Sequence, residues 1–283
     1  MSVLRIILVV AAAVGAVVGM SLAKAGVKQG RALAIGCAII AIVLAAASIL
    51  SPHDDTPQLI KSLNRYSYAS GETLGRYLAE TYSGSRALIL VQPTFVGEEP
   101  DLLQVSIQEG LKQGMGSALE LVGVVPAGPP DGYVERILAN MPPQLEPPPG
   151  TPEGWIPALE RDYHRWFNAK FFATILATHK GTYDVLISAV GLPRDFASSP
   201  LVKHPDLPKT IAVLNAWDMP MKRLIQRGTI DVLVADKPSA NPWQDAQNAP
   251  EDIAEAFAKM YILVTADNLE EVVATYPKSA NWR

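Results

Sequence analysis

The chain has 283 residues, 49% of them hydrophobic, and its 24 basic and 28 acidic side chains give a net charge of −4. Four of the basic residues and none of the acidic ones fall in residues 1–51, which leaves the rest with 20 basic and 28 acidic groups, a net charge of −8. A domain this acidic repels phosphate backbones, which excludes nucleic acid as a partner. The single cysteine, Cys37, lies in an apolar run, so disulfides, thiol catalysis and cysteine-ligated metals are excluded for the remainder.

Two uncharged apolar runs open the chain, at about 6–23 and 32–51. Each is as long as a helix needs to cross roughly 30 Å of hydrocarbon at a rise of about 1.5 Å per residue. They predict a transmembrane helical hairpin anchored in the lipid bilayer. The loop between them carries Lys24, Lys28 and Arg31, and the positive-inside rule places such a loop in the cytoplasm. We therefore expect both termini and the rest of the chain on the periplasmic or outer face of the cytoplasmic (inner) membrane.

A second interpretation makes the first run a cleaved signal peptide. Residues 1–25 combine a basic start, an apolar middle and the triplet Ala23-Lys24-Ala25, which resembles a cleavage site. The apolar part is longer than in a typical signal, and the basic residue fits a cleavage site poorly. Cleavage would also leave one span with its positive flank outside. The uncleaved hairpin is the favoured interpretation.

Small residues recur every four positions in the first run, a spacing that lets another helix backbone approach closely. They are Ala11, Gly15, Gly19 and Ala23. Three interpretations stay open: chance spacing in an alanine-rich span, packing of the two spans on each other, and docking against another subunit of a membrane complex. Neither span contains Asp, Glu, Lys, Arg or His, so no ion or proton path is predicted and the hairpin acts as an anchor or docking piece.

The residues after the hairpin divide into a linker with an amphipathic helix, at 52–85, and an α/β domain, at 86–283. Apolar residues at helical spacing indicate one short helix before Ser70 and a clearer helix that begins there and ends at 83–85.

Six short apolar runs bounded by turn residues predict strands that are buried on both faces. They lie at 86–92, 118–125, 183–190, 210–214, 229–235 and 261–265. Helical patterns lie between them, at 101–115, 160–179, 219–227 and 250–259. This alternation predicts a doubly wound, mostly parallel α/β sheet.

A Pro-rich insertion interrupts this pattern at about 126–157. Its proline pairs deny regular structure to most of it, although 133–140 fits one short helix. It is either a surface insertion without function or an extended polyproline segment that binds a partner. Beside it, aromatic residues cluster around one helix, which predicts core positions or, alternatively, a partner-docking face. They are Trp155, Tyr163, Trp166, Phe167, Phe171 and Phe172.

Several stretches resemble type I periplasmic sugar-binding proteins. Residues Ser70–Glu80, the strand from Arg86 and Gln108–Lys112 are similar to the opening of the second lobe of that family. Ile211–Asp218 is similar to a strand that ends in a ligand-facing Asp or Asn, and Ile225–Pro238 to the family's helix–Gly–strand–Pro unit. The resemblance implies a periplasmic-binding-protein-like α/β domain. The family has two lobes that close on a ligand, whereas this chain is long enough for a single lobe behind a two-span membrane anchor.

Ligands of open α/β sheets bind beyond the carboxyl ends of the strands. The side chains predicted to bind a ligand there are Gln92, Thr94, Trp217, Asp218 and Asp236. Trp217 would stack on a sugar ring while Asp218 and Asp236 accept hydrogen bonds from its hydroxyls; otherwise the carboxylates are solvated and Trp217 packs locally. The four histidines lack a ligand-like spacing, and no P-loop, dinucleotide or nucleophile-elbow motif occurs. No metal, cofactor or catalytic residue is therefore predicted.

Two functions from different classes fit these features. The first is a non-enzymatic accessory or scaffold subunit of a membrane protein complex, with an outward-facing binding-protein-like domain that contacts other subunits. The alternative is a tethered solute-binding or sensory protein for a small polar ligand such as a sugar. The small-residue stripe and the missing second lobe favour the first.

Overall fold

The computed structural model describes residues 55–95, 99–140, 165–204, 207–214, 220–240 and 249–277, together with 17, 18, 20, 21, 24, 35, 245 and 282. The predicted helix-packing residues and two of the predicted ligand residues lie outside these ranges, namely Ala11, Gly15, Gly19, Ala23, Trp217 and Asp218. No helix among the described residues is both long and apolar enough to cross a membrane. The two predicted spans fall almost wholly outside the described ranges and stay a prediction. The chain divides into two compact units, Met1–Pro57 and Gln58–Arg283, and the second contains all the described strands.

The described residues form seven α-helices and six β-strands. The helices are α1 (Asp55–Thr81), α2 (Leu102–Met115), α3 (Tyr133–Ala139), α4 (Ala169–Thr178), α5 (Met221–Gln226), α6 (Ile253–Met260) and α7 (Leu269–Thr275). The strands are β1 (Arg86–Val91), β2 (Glu120–Pro126), β3 (Val185–Ser188), β4 (Thr210–Leu214), β5 (Val232–Asp236) and β6 (Tyr261–Thr265). Each predicted strand is present, with ends that shift by up to three residues.

The six strands form one sheet in the order β2-β1-β3-β4-β5-β6. β1 to β5 are parallel, and β6 runs antiparallel to β5. The prediction of a doubly wound, mostly parallel sheet is confirmed. Alternate residues of β1 enter opposite cores, with Leu88 and Leu90 on one face and Ala87 and Ile89 on the other. Because both faces of such strands are covered, apolar side chains are needed at every position, and the strands form continuous apolar runs in the sequence.

Helices cover both faces of this sheet. On one face, α1 and α2 contribute Leu74 and Leu111 to the core. On the other, α4, α5 and α7 contribute Phe172, Leu224 and Leu269. Since α2 follows β1 and α4 follows β2, the connections on either side of β1 leave by opposite faces of the sheet.

The structure corrects the prediction for the residues around Ser70. α1 runs through this position as one helix, and the Ser70 hydroxyl donates to the Ser67 carbonyl oxygen at 2.7 Å instead of opening a new helix. The reason is the packing of Gly71 against α2, where an added Cβ would lie 2.2 Å from the Ile107 carbonyl oxygen. This close contact of two helix backbones outweighs the cost of roughly 1 kcal/mol for a glycine inside a helix.

α7 is an element that the sequence patterns do not predict. It follows β6 through a turn closed by the Asn268 side chain, whose Oδ1 accepts from the Thr265 amide at 2.9 Å and whose Nδ2 donates to the Leu263 carbonyl oxygen at 2.8 Å. This turn brings Leu269 into the core, so a helix of seven residues is held by packing although it is too short to be stable alone.

Candidate functional site

The five parallel strands all end at one edge of the sheet, here called the carboxyl edge. In a doubly wound sheet of order 2-1-3-4-5, ligands bind where connections from adjacent strands leave by opposite faces, because a crevice opens between them. In this chain that switch point lies between β1 and β3, because α2 follows β1 on one face, whereas Phe196 and Leu201, from the segment after β3, join the core on the other face. The predicted ligand residues Gln92 and Thr94 directly follow β1, with Gln92 half-buried and Thr94 exposed.

The loop after β3 forms one side of the switch point and is held there by hydrogen bonds. Ser188 is fully buried, and its hydroxyl donates a hydrogen bond to the carbonyl oxygen of Gly191. Gly191 has φ +75°, a left-handed conformation that favours glycine, and it lets the chain fold back over the strand end. The Ala189 amide donates to the Leu90 carbonyl oxygen at 2.9 Å, which ties this loop to β1. These hydrogen bonds hold the loop after β3 in place on the β3 side of the switch point.

Asp236 lies at the same edge but farther along it. It ends β5, and β3 and β4 separate β5 from β1, so at the usual strand spacing the two ends are roughly 14 Å apart. Although the Asp236 side chain reaches solvent, the protein packed around it raises the pKa of its carboxyl. It pairs in register with Tyr261, and burial followed by the charge of Asp236 raises the pKa of that phenol. The structure therefore does not bring Asp236 next to Gln92.

A pocket of about 390 Å³ opens at the carboxyl end of β2, beside the switch point. The segment after β2, together with α3 and the start of α4, forms its walls. Its lining combines basic, aromatic and small polar side chains: Arg136, Arg165, Lys170, Tyr133, Trp166, Phe171, Asn168, Thr174 and Pro130. None of these described lining residues is acidic. We call this the basic pocket.

Trp166 connects the basic pocket to the switch point. Its Nε1 donates to the Ala127 carbonyl oxygen at 3.0 Å, directly beyond the end of β2. Its ring meets Phe95, from the loop after β1, edge-on at a centroid distance of 5.9 Å, and meets Tyr133 at 5.1 Å. Because the side chain is 2% exposed, these contacts fix the ring in one position.

The start of α4 forms the floor of the basic pocket. Asn168 caps this helix, since its side chain accepts from the Phe171 amide at 3.0 Å, and Asp195 accepts from the Ala169 amide at 2.8 Å. Two of the first backbone donors are thus already bonded within the protein. The Asp195 carboxylate also offsets the positive end of the helix dipole, so any positive charge of the pocket comes from its basic side chains.

Sequence patterns did not indicate the basic pocket, because its residues lie in two separate stretches of the chain, 130–136 and 165–174. The predicted core positions of Trp166, Phe167 and Phe172 are confirmed, since each is 2% exposed or less. Phe171, also predicted as core, is half-buried and lines the pocket. The other two aromatic residues of that prediction, Trp155 and Tyr163, lie outside the described residues.

No protein-family model matches the chain, and no curated protein matches it in sequence. Similar solved structures include a myo-inositol binding protein from Caulobacter bound to myo-inositol, with 14% identity and a TM-score of 0.41 over 72% of this chain and 60% of that one. An arabinose binding protein from Geobacillus stearothermophilus has 10% identity and a TM-score of 0.41 over 72% and 62%. The periplasmic binding protein of an arabinose ABC transporter from Shewanella sp. ANA-3 has 10% identity and a TM-score of 0.42 over 74% and 60%.

The chain thus spans about 60% of the length of the proteins it resembles in structure. All three are described as binding proteins. Because the TM-scores lie below 0.5, the fold class rests on the strand order of this chain and not on these matches.

Proposed function

We propose that the chain is a tethered, non-enzymatic solute-binding or sensory protein, with one periplasmic-binding-protein-like lobe that holds a small polar ligand at its carboxyl edge. The observation that carries the proposal is the switch point between β1 and β3, which opens beside a pocket of about 390 Å³. That volume lies within the range of roughly 300–1,000 Å³ typical of small-molecule sites. Gln92 and Thr94 supply polar contacts at this crevice.

Ser188 has a structural role at the carboxyl edge and is not placed to act as a nucleophile. It is the buried hydroxyl at the end of β3, and a nucleophile at this edge would need a base that accepts its proton. Its hydrogen bond goes instead to the Gly191 carbonyl oxygen, which cannot serve as a base. The hydroxyl therefore stabilises the loop.

A thermal-shift and calorimetric screen of the full chain in detergent tests the proposed function. The panel contains neutral monosaccharides and polyols, and it includes arabinose and myo-inositol. We expect a binder whose affinity falls about tenfold in Gln92→Ala, the cost of one lost hydrogen bond to a buried ligand, and stays unchanged in Gln113→Ala, an exposed glutamine on α2. Binding that is equal in both variants would contradict a site at the switch point.

The membrane location is part of the proposal and rests on the hairpin pattern and its basic loop at 24–31. It predicts that a cysteine introduced as Gln113→Cys, in a Cys37→Ser background, reacts with a membrane-impermeant maleimide in intact cells. Reaction only after permeabilisation would place the domain in the cytoplasm.

A second candidate is the accessory or scaffold subunit of a membrane complex. The stripe of Ala11, Gly15, Gly19 and Ala23 favours it, because such spacing allows a second helix to pack closely. Purification in mild detergent tests it: a stable set of co-purifying membrane subunits that is lost in Gly15→Leu supports this role. A monodisperse monomer counts against it.

A further inference from the structure

We propose that the basic pocket is an anion subsite, so that the ligand of the carboxyl edge carries a carboxylate or phosphate group. The inference deepens the proposed function and rests on it for the position of the rest of the ligand. Arg136, Arg165 and Lys170 line one cavity, while the chain after residue 51 has a net charge of −8. Two of them, Arg136 and Lys170, are exposed side chains on different helices, and together they give this part of an acidic domain a locally positive lining that attracts an anion.

Arg136 has the geometry for binding a planar or tetrahedral anion. Its Nε donates to the Gly132 carbonyl oxygen at 3.1 Å, which orients the guanidinium plane on α3 and uses one of its five N–H donors. An oriented guanidinium binds carboxylate or phosphate through two parallel hydrogen bonds. Lys170, in the first turn of α4, adds a second positive charge from another element.

The aromatic walls of the basic pocket give the ligand a second chemical feature. Phe171 and Tyr133 are half-buried and line the pocket, so their rings can contact a ligand, whereas Trp166 is 2% exposed and supports Tyr133 through a ring contact at 5.1 Å. Pre-ordered rings bind the apolar face of a sugar or another ring with little loss of entropy. At about 30 Å³ for each water, 390 Å³ holds roughly a dozen water molecules, which suits a small organic anion.

A matched ligand series tests the inference on the full chain. Glucose, glucuronate and glucose 6-phosphate share one ring and differ only in the group at C6, which is a neutral hydroxymethyl, a carboxylate or a phosphate ester, and inorganic phosphate probes the subsite alone. We expect the anionic sugars to bind at least about tenfold tighter than glucose, with an affinity that falls as salt rises from about 50 to about 300 mM. The carboxylate and the phosphate arms show which anion the subsite prefers.

Variants assign this binding to the pocket. Arg136→Ala and Lys170→Ala should each lower the affinity for the anionic sugars about tenfold. Arg136→Lys should recover part of that affinity, because lysine keeps the charge but cannot donate two parallel hydrogen bonds. The control variants Arg227→Ala and Lys112→Ala remove exposed basic side chains directly after α5 and on α2. They should leave the affinity for the anionic sugars unchanged. All these side chains are exposed, so the variants are expected to fold, and an unchanged melting temperature verifies it.

The outcomes separate this inference from the proposed function. If glucose binds as tightly as its anionic relatives, or if Arg136→Ala has no effect, the anion subsite is overturned while ligand binding at the switch point stands. If the anions bind through Arg136 but Gln92→Ala has no effect, the subsite stands and the position of the ligand at the switch point is wrong. If neither anionic sugar nor phosphate binds, the inference is overturned.

Discussion

At the scale of single residues, Trp166 joins the core to the candidate site. It belongs to the same buried core as Phe172 of α4, and its Nε1 donates a hydrogen bond to the Ala127 carbonyl oxygen. The loops after β1 and β2 are thereby held at fixed positions, because Phe95 and Tyr133 both rest on the same ring. A site that depends on the relative position of two loops needs such a fixed point.

The first prediction concerns the indole nitrogen. Trp166→Phe leaves the buried Ala127 carbonyl oxygen without its donor, and we expect a loss of about 1–3 kcal/mol in the free energy of unfolding, measured with urea. Trp282→Phe is a matched control, because the Trp282 Nε1 is buried without a hydrogen-bond partner among the described residues. The control should lose less stability than Trp166→Phe. The reverse order would contradict the role given to Trp166.

Two aspartates at the opposite edge of the sheet, before β3 and before β5, have pKa values shifted in opposite directions. Hydrogen bonds from Arg86 lower the pKa of the exposed Asp184, whose Oδ2 lies 3.1 Å from the Arg86 Nε. Burial raises the pKa of Asp231, although that carboxylate accepts from the Ile211 amide at 2.9 Å and from the Tyr82 hydroxyl at 3.4 Å. The two groups therefore make opposite contributions to the pH dependence of stability.

The second prediction follows from these signs. The folded state binds the Asp184 proton less tightly than the unfolded chain does. The ionised carboxylate therefore stabilises the fold above the ordinary aspartate pKa. This stabilisation is lost as the pH falls through the lower pKa of the folded state. For Asp231 the folded state binds the proton more tightly, so its contribution declines as pH rises from the ordinary value through the higher, folded-state one.

Urea titrations between about pH 3 and pH 7 measure both effects in Asp184→Asn and Asp231→Asn. Asp184→Asn should be slightly less stable than the unchanged protein at about pH 7, and this difference in the free energy of unfolding should disappear as the pH falls. Asp231→Asn should gain relative stability as pH rises through that range. Parallel profiles for the two variants would contradict the assigned causes.

At the scale of elements, α1 and α2 pack through two pairs of glycines with the same spacing, Gly71 and Gly75 against Gly110 and Gly114. An added Cβ on Gly114 would lie 2.2 Å from the Glu72 carbonyl oxygen, and one on Gly110 would lie 2.2 Å from the Tyr68 carbonyl oxygen. Both obstacles are backbone atoms, which cannot move aside without separating the helices. The contact also buries the Glu72 side chain, which forms an ion pair with Arg76.

The third prediction is that Gly114→Ala destabilises the protein by about 1–3 kcal/mol, even though alanine is the better helix former by about 1 kcal/mol. The physical reason is overpacking between two backbones. Gln113→Ala, at the exposed neighbouring position, and Gly128→Ala, where the nearest atom to an added Cβ is 3.9 Å away, are the controls. A stabilised Gly114→Ala would contradict the close packing of α1 on α2.

The same glycines show which elements the sequence could predict. β1, β3 and β4 are covered on both faces, so their continuous apolar runs identify them from local sequence. Ser70-Gly71 has the composition of a helix start, and only the tertiary contact with α2 shows why a glycine lies inside α1. Local patterns predict an element when burial is uniform and fail where a distant backbone determines the residue.

The candidate site is less predictable than the elements, for a related reason. Gln92 and Thr94 could be placed because they follow a strand in a sheet whose strand ends share one edge. Arg136, Arg165 and Lys170 could not, since they belong to different segments and meet only because α3 and α4 fold over the end of β2. Ligand cavities of this kind are a property of the tertiary structure.

At the scale of the whole molecule, the strand order determines where a ligand can bind. β2 and β3 lie on either side of β1. The connection after β1 leaves by one face and those after β2 and β3 by the other, so the crevice and the basic pocket open at neighbouring points of one edge. A ligand that spans them would contact the loops after β1, β2 and β3 together. Its binding should therefore reduce the motion of all three loops at once.

Hydrogen–deuterium exchange of the full chain, with and without the compound that stabilises it most in the thermal-shift panel, is the decisive test of a ligand site at the carboxyl edge. We predict slower exchange of the amides of Gln92, Thr94 and Phe95, of Ala127 and Gly128, and of residues 189–192, with no change at the opposite edge around 82–85 and 182–184. Protection confined to that opposite edge, or spread evenly over the sheet, would contradict such a site.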